Sequence, residues 1–232
     1  MKLSLLYAFF WWDARSALAQ RLPFERERLE EFYNATGGDY WFVNTSWLTN
    51  VDVCDWHGID CGFSAHPIKI SLERNNLTGV VPPSLYELPD LGRLFLDGNN
   101  LTDAGFIGLN ESSTMENLHF LDTQLTSLAG IRYAPNTLTG LHVTRNPLNQ
   151  PFPSEIFEAT SLLTLELIDN GLFGTLPTEI VNMTLLDKLT VSGNRLTGPI
   201  PSVLGLLPNL RNLVLEDNAF SGTLPTELNN MP

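Results

Sequence analysis

One motif recurs along this chain at a spacing of 24 residues, and no other feature restricts the possible folds so strongly. The clearest copies are "LGRLFLDGNNL" (91–101), "LTGLHVTRNPL" (138–148), "LLTLELIDNGL" (162–172), "LDKLTVSGNRL" (186–196) and "LRNLVLEDNAF" (210–220); "PIKISLERNNL" (67–77) and "MENLHFLDTQL" (115–125) are weaker. Apolar residues fall at places one, four, six and eleven, with an asparagine at the ninth. The ninth places are Asn75, Asn99, Thr123, Asn146, Asn170, Asn194 and Asn218, separated by 24, 24, 23, 24, 24 and 24 residues. A period of this length suits one short strand and one return segment per coil. The expected fold is therefore an α/β repeat solenoid, a right-handed leucine-rich repeat superhelix with a parallel concave sheet.

The asparagines need a reason, because an amide among leucines costs free energy unless it is paired. Where each coil leaves its strand, buried backbone groups lack ladder partners, and each unmet group costs roughly 1–3 kcal/mol. An Asn side chain carries two donors and an acceptor, so stacked asparagines can meet those groups from coil to coil. The asparagines read as structural. Thr123 can do only part of this work, which predicts a looser third coil.

The first residues, "MKLSLLYAFFWWDARSALAQ", have Lys2, an apolar run from Leu3 to Trp12 and a small-residue site at Ala17-Leu18-Ala19. That is the layout of a secretion signal, assigned to 1–19, although Asp13 and Arg15 are atypical there. The apolar run is too short to span a bilayer, and no later stretch is longer, so no transmembrane segment is expected in this chain. Residues 20–62 read as an N-terminal cap. Leu29, Phe32 and Tyr33 fall at helical spacing, and Trp41, Trp47 and Trp56 gather around the two cysteines, Cys54 and Cys61. A disulfide between them is the expectation. A metal site of Cys54, His57 and Cys61 is the rival, though zinc usually takes four ligands. Residues 63–232 form the seven-repeat solenoid.

Cap and repeat tails together resemble a known class. "FYNATGGDYW…W…CDWHGIDC" resembles the cap of plant-type extracellular leucine-rich repeat proteins. "LTGVVPPSL", "LFGTLPTEI", "LTGPIPSVL" and "FSGTLPTEL" resemble that class's L-x-G-x-(I/L)-P signature. Similar chains are ectodomains of receptor-like kinases and receptor-like proteins, or secreted polygalacturonase inhibitors. The resemblance covers about 27–232 and implies a secreted or cell-surface location. The tails after Leu101 ("TDAGFIGLNESST") and Leu125 ("TSLAGIRYAPNT") lack the Gly-x-Ile-Pro element, so the extra short strand it forms in the family is not implied there. The tail after Leu148 ("NQPFPSEIFEA") departs as well.

Acidic residues outnumber basic ones 26 to 13, a formal charge of −13, which argues against nucleic acid and anionic lipid as partners. No nucleophile elbow, zinc-protease motif or phosphate loop is present, and an enzyme is not expected. Neither a metal nor another cofactor is expected.

Function should lie on the concave sheet, since the fold itself specifies none. Period-two alternation turns three columns outward. The central one reads Ser71, Phe95, His119, His142, Glu166, Thr190, Val214. Its flanks read Lys69, Arg93, Asn117, Gly140, Thr164, Lys188, Asn212 and Glu73, Asp97, Leu121, Thr144, Ile168, Ser192, Glu216. Phe95, His119, Leu121, His142, Glu166, Ile168 and Lys188 are the candidate contacts for a protein, peptide or glycan ligand, because an exposed aromatic amid aliphatic and mixed polar groups suits recognition. His119 and His142 are also candidates for pH sensing. Sequons at Asn34, Asn44, Asn76, Asn100, Asn110 and Asn182 are candidate glycosylation sites on a secreted chain.

The last residues, "FSGTLPTELNNMP", bring no capping element, so Leu213, Leu215 and Phe220 should lie near a partly bare edge. A truncated chain, a dimer or a co-receptor over that edge would each account for it. The favoured reading is an extracellular recognition module in receptor signalling or defence. The alternatives are a secreted inhibitor of a wall-degrading enzyme and a structural or adhesive wall protein, an ice-binding surface lacking the regular threonine array it would need.

Overall fold

The structure, a computed structural model, describes residues 23–63 and 66–232. The expected secretion signal, 1–19, lies outside the described residues. Each repeat contributes one strand to a single sheet, and the 24-residue period sets its register. Lys69–Ser71, Arg93–Phe95, Asn117–Leu121, Gly140–Thr144, Thr164–Ile168, Lys188–Thr190 and Asn212–Val214 lie side by side, all parallel. An eighth strand, Ile59–Asp60, pairs antiparallel with Lys69–Ser71 and closes that side of the sheet. It comes from the segment read as cap, outside the repeat, and the period gave no sign of it.

Residues at places four and six point inward and, in the first six repeats, are buried, as with Leu94 and Leu96 or Leu189 and Val191. The return segments are 3-10 turns, such as Pro83–Glu87, Thr178–Asn182 and Ser202–Leu206. Each of these three follows or begins with a proline, whose fixed φ pre-sets the first turn. Five residues close a 3-10 turn but give little room for an α-helix. Among the described residues the α-helix is at the cap, over residues 23–35.

The signature tails form a second layer of strands on the flank. Phe173–Thr175, Arg195–Gly198 and Ala219–Phe220 make one small parallel sheet, and Thr78–Val80 pairs with Asn100–Asp103 in another. Gly79 shows why the signature needs glycine. Its φ is +84°, and a Cβ there would come within 2.6 Å of the Ala35 carbonyl oxygen. Asn100–Asp103 corrects the sequence reading, which had no strand after Asn99. Backbone pairing alone suffices: Asn100 N donates to Leu77 O at 2.7 Å and Val81 N to Asp103 O at 3.0 Å, with a register shift at Gly79/Val80. The tail after Leu125 forms no strand, and the one after Leu148 makes a single bridge, Pro151 to Phe173.

The asparagines form a ladder in which each coil holds the one before it. Asn99 Oδ1 accepts from Asn75 N at 3.0 Å and Leu77 N at 2.9 Å, while its Nδ2 donates to Leu72 O and Leu96 O at 2.8 Å. Asn194 does the same for Asn170 N, Leu172 N, Leu167 O and Val191 O. Asn75 extends the ladder into the cap by accepting from Val43 N at 2.7 Å. The gap falls at Thr123. Its hydroxyl donates forward to Asn146 Oδ1, and among the described residues no hydrogen bond runs from it back to Asn99 or Leu101.

The cap covers the first coil with aromatic rings. Trp41, Trp47 and Trp56 contact one another in sequence with centroids 4.9 and 4.8 Å apart, and Phe32 meets Trp41 at 5.8 Å. Cys54 and Cys61 are disulfide-bonded, which occupies both sulfurs of the rival metal set. His66 Nδ1 lies 2.6 Å from the buried Glu25 carboxylate, and Arg28 Nε lies 2.9 Å from Glu87, tying the helix to the first return turn. At the opposite end Leu213, Leu215 and Phe220 are only half-buried, whereas their counterparts Leu189, Val191 and Leu196 are fully buried.

Candidate ligand-binding face

The parallel register aligns the central outward column. Ser71, Phe95, His119, His142, Glu166, Thr190 and Val214 are direct cross-strand partners in that order. Strand spacing of roughly 4.8 Å is close to the separation of stacked rings, so aromatic side chains in consecutive coils are set face against face. Phe95 and His119 have centroids 4.5 Å apart at 49°, and His119 and His142 lie 4.1 Å apart at 21°. His142 Nδ1 then meets Glu166 Oε2 at 2.8 Å, and Lys188 Nζ donates to Glu166 Oε1 at 2.6 Å. Five of the seven sequence candidates thus form one unbroken chain across five strands. Rings at one end lead into an ion pair at the other.

Leu121 and Ile168 stand one column over, on either side of Thr144 in the register. Thr144 is buried while both neighbours are half-buried, so the pair forms low apolar walls over a small floor. Thr190 is likewise buried in the central column. Sequence reading assigned no part to Gly140. A Cβ there would come within 2.1 Å of Asn117 Oδ1 and 3.2 Å of His142 Nε2, so its bareness lets Asn117 lie flat beside the histidines. A glycine in an otherwise side-chain-bearing outward column was the available signal.

The electrostatics follow from this packing. Burial holds the His119 imidazole below the usual histidine range, and the neighbouring His142 adds to the effect. Burial would raise the Glu166 carboxyl, yet hydrogen bonds from Lys188 and His142 outweigh it and hold the group low. Stacking also bears on metals: imidazole lone pairs lie in the ring plane, so two nearly parallel rings aim theirs side by side rather than at one ion. Among the described residues no group of three or more His, Cys, Asp and Glu side chains is arranged to hold a metal.

No sequon falls in a concave strand. Asn34, Asn100, Asn110 and Asn182 are exposed. Asn44 is half-buried, and its Nδ2 donates to Tyr33 Oη at 3.1 Å and Gly38 O at 3.2 Å; Asn76 Nδ2 donates to Tyr40 O at 2.8 Å. Those two amide nitrogens already hold internal bonds.

A family model described as Leucine Rich Repeat matches residues 185–207 and 209–231. A probable LRR receptor-like serine/threonine-protein kinase of Arabidopsis thaliana is 37% identical over 79 residues, 33% of this chain and 12% of that protein. The chain therefore corresponds to a small part of that relative. Among solved structures, the PEPR1–AtPEP1 complex superposes with a TM-score of 0.73 at 22% identity, over 89% of this chain and 30% of that one. The Arabidopsis receptor kinase HAESA, solved with the peptide hormone IDA and the co-receptor SERK1, superposes with a TM-score of 0.56 at 23% identity, over 89% and 44%. At these identities the two superpositions speak to the fold. No helix among the described residues is long and apolar enough to cross a membrane.

Proposed function

We propose that this chain, whose leucine-rich repeats are similar to those of plant receptor-like proteins, is a recognition module whose concave sheet binds an extended peptide or protein segment. The observation that carries this reading is the continuous strip from Phe95 through His119, His142 and Glu166 to Lys188, with Leu121 and Ile168 beside it. Its length, about 19 Å over four strand spacings, suits five to six extended residues. Half-buried rings supply apolar area without deep pockets, and Glu166 and Lys188 offer a paired charge of each sign. HAESA, which shares the fold, was solved with a peptide hormone bound, which supports a peptide ligand here. We place the protein outside the cell or at its surface, a reading supported by the Cys54–Cys61 disulfide. Exposed sequons Asn34, Asn100, Asn110 and Asn182 are the glycosylation sites in this reading, leaving the concave sheet uncovered.

The test is selection of binders from a displayed library of secreted peptides, followed by retesting against Phe95→Ala/His142→Ala. Binders should lose most of their affinity for the double variant. Binders that hold the variant as well as the parent protein would place recognition elsewhere.

A further inference from the structure

The geometry points to a second ligand site, separate from the concave face: a cleft for a neutral oligosaccharide where the flank turns into the convex face. It lies where the flank sheet is interrupted. Strands Asn100–Asp103 and Phe173–Thr175 stand on either side, and only the Pro151–Phe173 bridge lies between them. The return turns Phe106–Glu111, Ile131–Tyr133 and Ser154–Glu158 border there a cleft of about 440 Å³, lined chiefly by Asp103, Ile107, Gly130, Arg132, Tyr133 and Glu155. That is within the range of small-molecule sites, roughly 300–1,000 Å³. The proposal goes beyond the peptide reading and does not depend on it.

The cleft's groups are held in place. Ile131 is fully buried and anchors the 3-10 turn Ile131–Tyr133, and the residues beside it are turned outward, Tyr133 keeping 46% of its surface exposed. Gly130 has φ +91°, and a Cβ there would meet Ile107 N at 2.6 Å, so bare backbone forms the floor. Glu155 Oε2 accepts from Gly130 N at 3.1 Å, and its other oxygen pairs with Arg132. Asp103 Oδ1 accepts from Gly105 N at 2.7 Å. Three planar charged groups are thus oriented by the fold while keeping further hydrogen-bonding capacity at the mouth.

Beside them lies an exposed ring. A sugar has a C–H face that packs on an aromatic surface, and a rim of hydroxyls that need fixed donors and acceptors. Tyr133, with the apolar Ile107 at 62% exposure nearby, supplies the first; Asp103, Arg132 and Glu155 supply the second. Charge selects among saccharides. Arg132 and Glu155 neutralise each other and Asp103 remains, so a polyuronate would be repelled and a neutral chain accepted. A peptide side chain would want a deep apolar pocket, whereas carboxylates and a guanidinium make up much of this cleft's wall.

Calorimetry and saturation-transfer NMR with a neutral β-glucan tetrasaccharide and with tetragalacturonate test this on the whole chain. The neutral sugar should bind, and tetragalacturonate should bind more weakly. Tyr133→Ala should weaken the neutral sugar roughly ten-fold, about the size of one aromatic contact, while Tyr133→Phe should retain it. Phe95→Ala, on the concave face, should leave it unchanged. No binding tighter than about 10 mM, equal affinity for the acidic sugar, indifference to Tyr133→Ala, or loss on Phe95→Ala would each overturn the proposal. Both substituted side chains are partly exposed, and matched thermal melts verify that each variant is folded.

Discussion

The imidazoles of His119 and His142 lie 4.1 Å apart and within 21° of parallel, with His142 alone holding a carboxylate, that of Glu166. The pair is therefore asymmetric: one ring has a counter-charge, and the other faces Phe95.

That asymmetry gives a sign for the pH dependence. Burial, then His142, lowers the folded-state pKa of His119, so the unfolded chain takes up its proton first as pH falls. Its contribution to stability is complete above the ordinary histidine value, about 6.5, and is lost below it until the folded form also protonates. His119→Gln should flatten the urea midpoint between about pH 7 and pH 5. An unchanged slope would assign the dependence to other groups.

Glu166 works in the opposite range. Its folded pKa is lowered despite burial, so its contribution is present above the ordinary carboxyl value and lost as pH falls through the folded one. Glu166→Gln at neutral pH removes the counter-charge of Lys188 and the carboxylate that His142 meets. In this half-buried setting the cost should be about 1 kcal/mol, measured by chemical denaturation, and smaller in high salt.

The amide ladder predicts unequal penalties. Asn194→Ala strips partners from Asn170 N, Leu172 N and three carbonyls and should cost about 3 kcal/mol. Thr123→Ala removes a single donated bond and should cost about 1 kcal/mol by that interaction. Equal losses in urea melts would refute the ladder as the source.

The residue before each ladder position is left-handed throughout. Arg74, Asp122, Arg145, Asp169 and Asp217 have φ of 52–54°, and Gly98 and Gly193 are both at 68°. Arg74 is exposed and makes no ion pair among the described residues, so Arg74→Gly should stabilise by up to about 1 kcal/mol. Arg145→Gly should gain less, because it also gives up the Asp122 pair. Denaturant midpoints of the two variants decide the point.

Reducing the Cys54–Cys61 bond, which closes a short loop of sequence separation 7, should cost roughly 2–3 kcal/mol. The loss should appear as a lower melting temperature in reductant. Cys54→Ser/Cys61→Ser should melt at the reduced value and ignore reductant.

Much of this molecule could be read from spacing. The repeat period alone put Phe95, His119, His142 and Glu166 in one column, because one strand per coil fixes both register and face. It also marked Thr123 as the weak position, since a hydroxyl offers one donor where an amide offers two. Events between side chains escaped it. Nothing in the spacing said that His142 would turn to Glu166 rather than to His119 alone, or that Thr144 and Thr190 would sink below larger neighbours. Strand Ile59–Asp60 was hidden because it belongs to no repeat, and Asn100–Asp103 because backbone pairing needs no signature.

The ladder has a direction, since each amide grips the coil before it, and Asn75, Asn146 and Asn170 are gripped in turn by the coil after. Peeling away a late coil therefore exposes hungry backbone in its predecessor, and fraying should run backwards along the chain like an opening zip. At Thr123 the teeth are missing. Asn99 and Leu101 never relied on that neighbour's side chain, so the unravelling has least to feed on there, and the cap with its first two coils would be the part left standing.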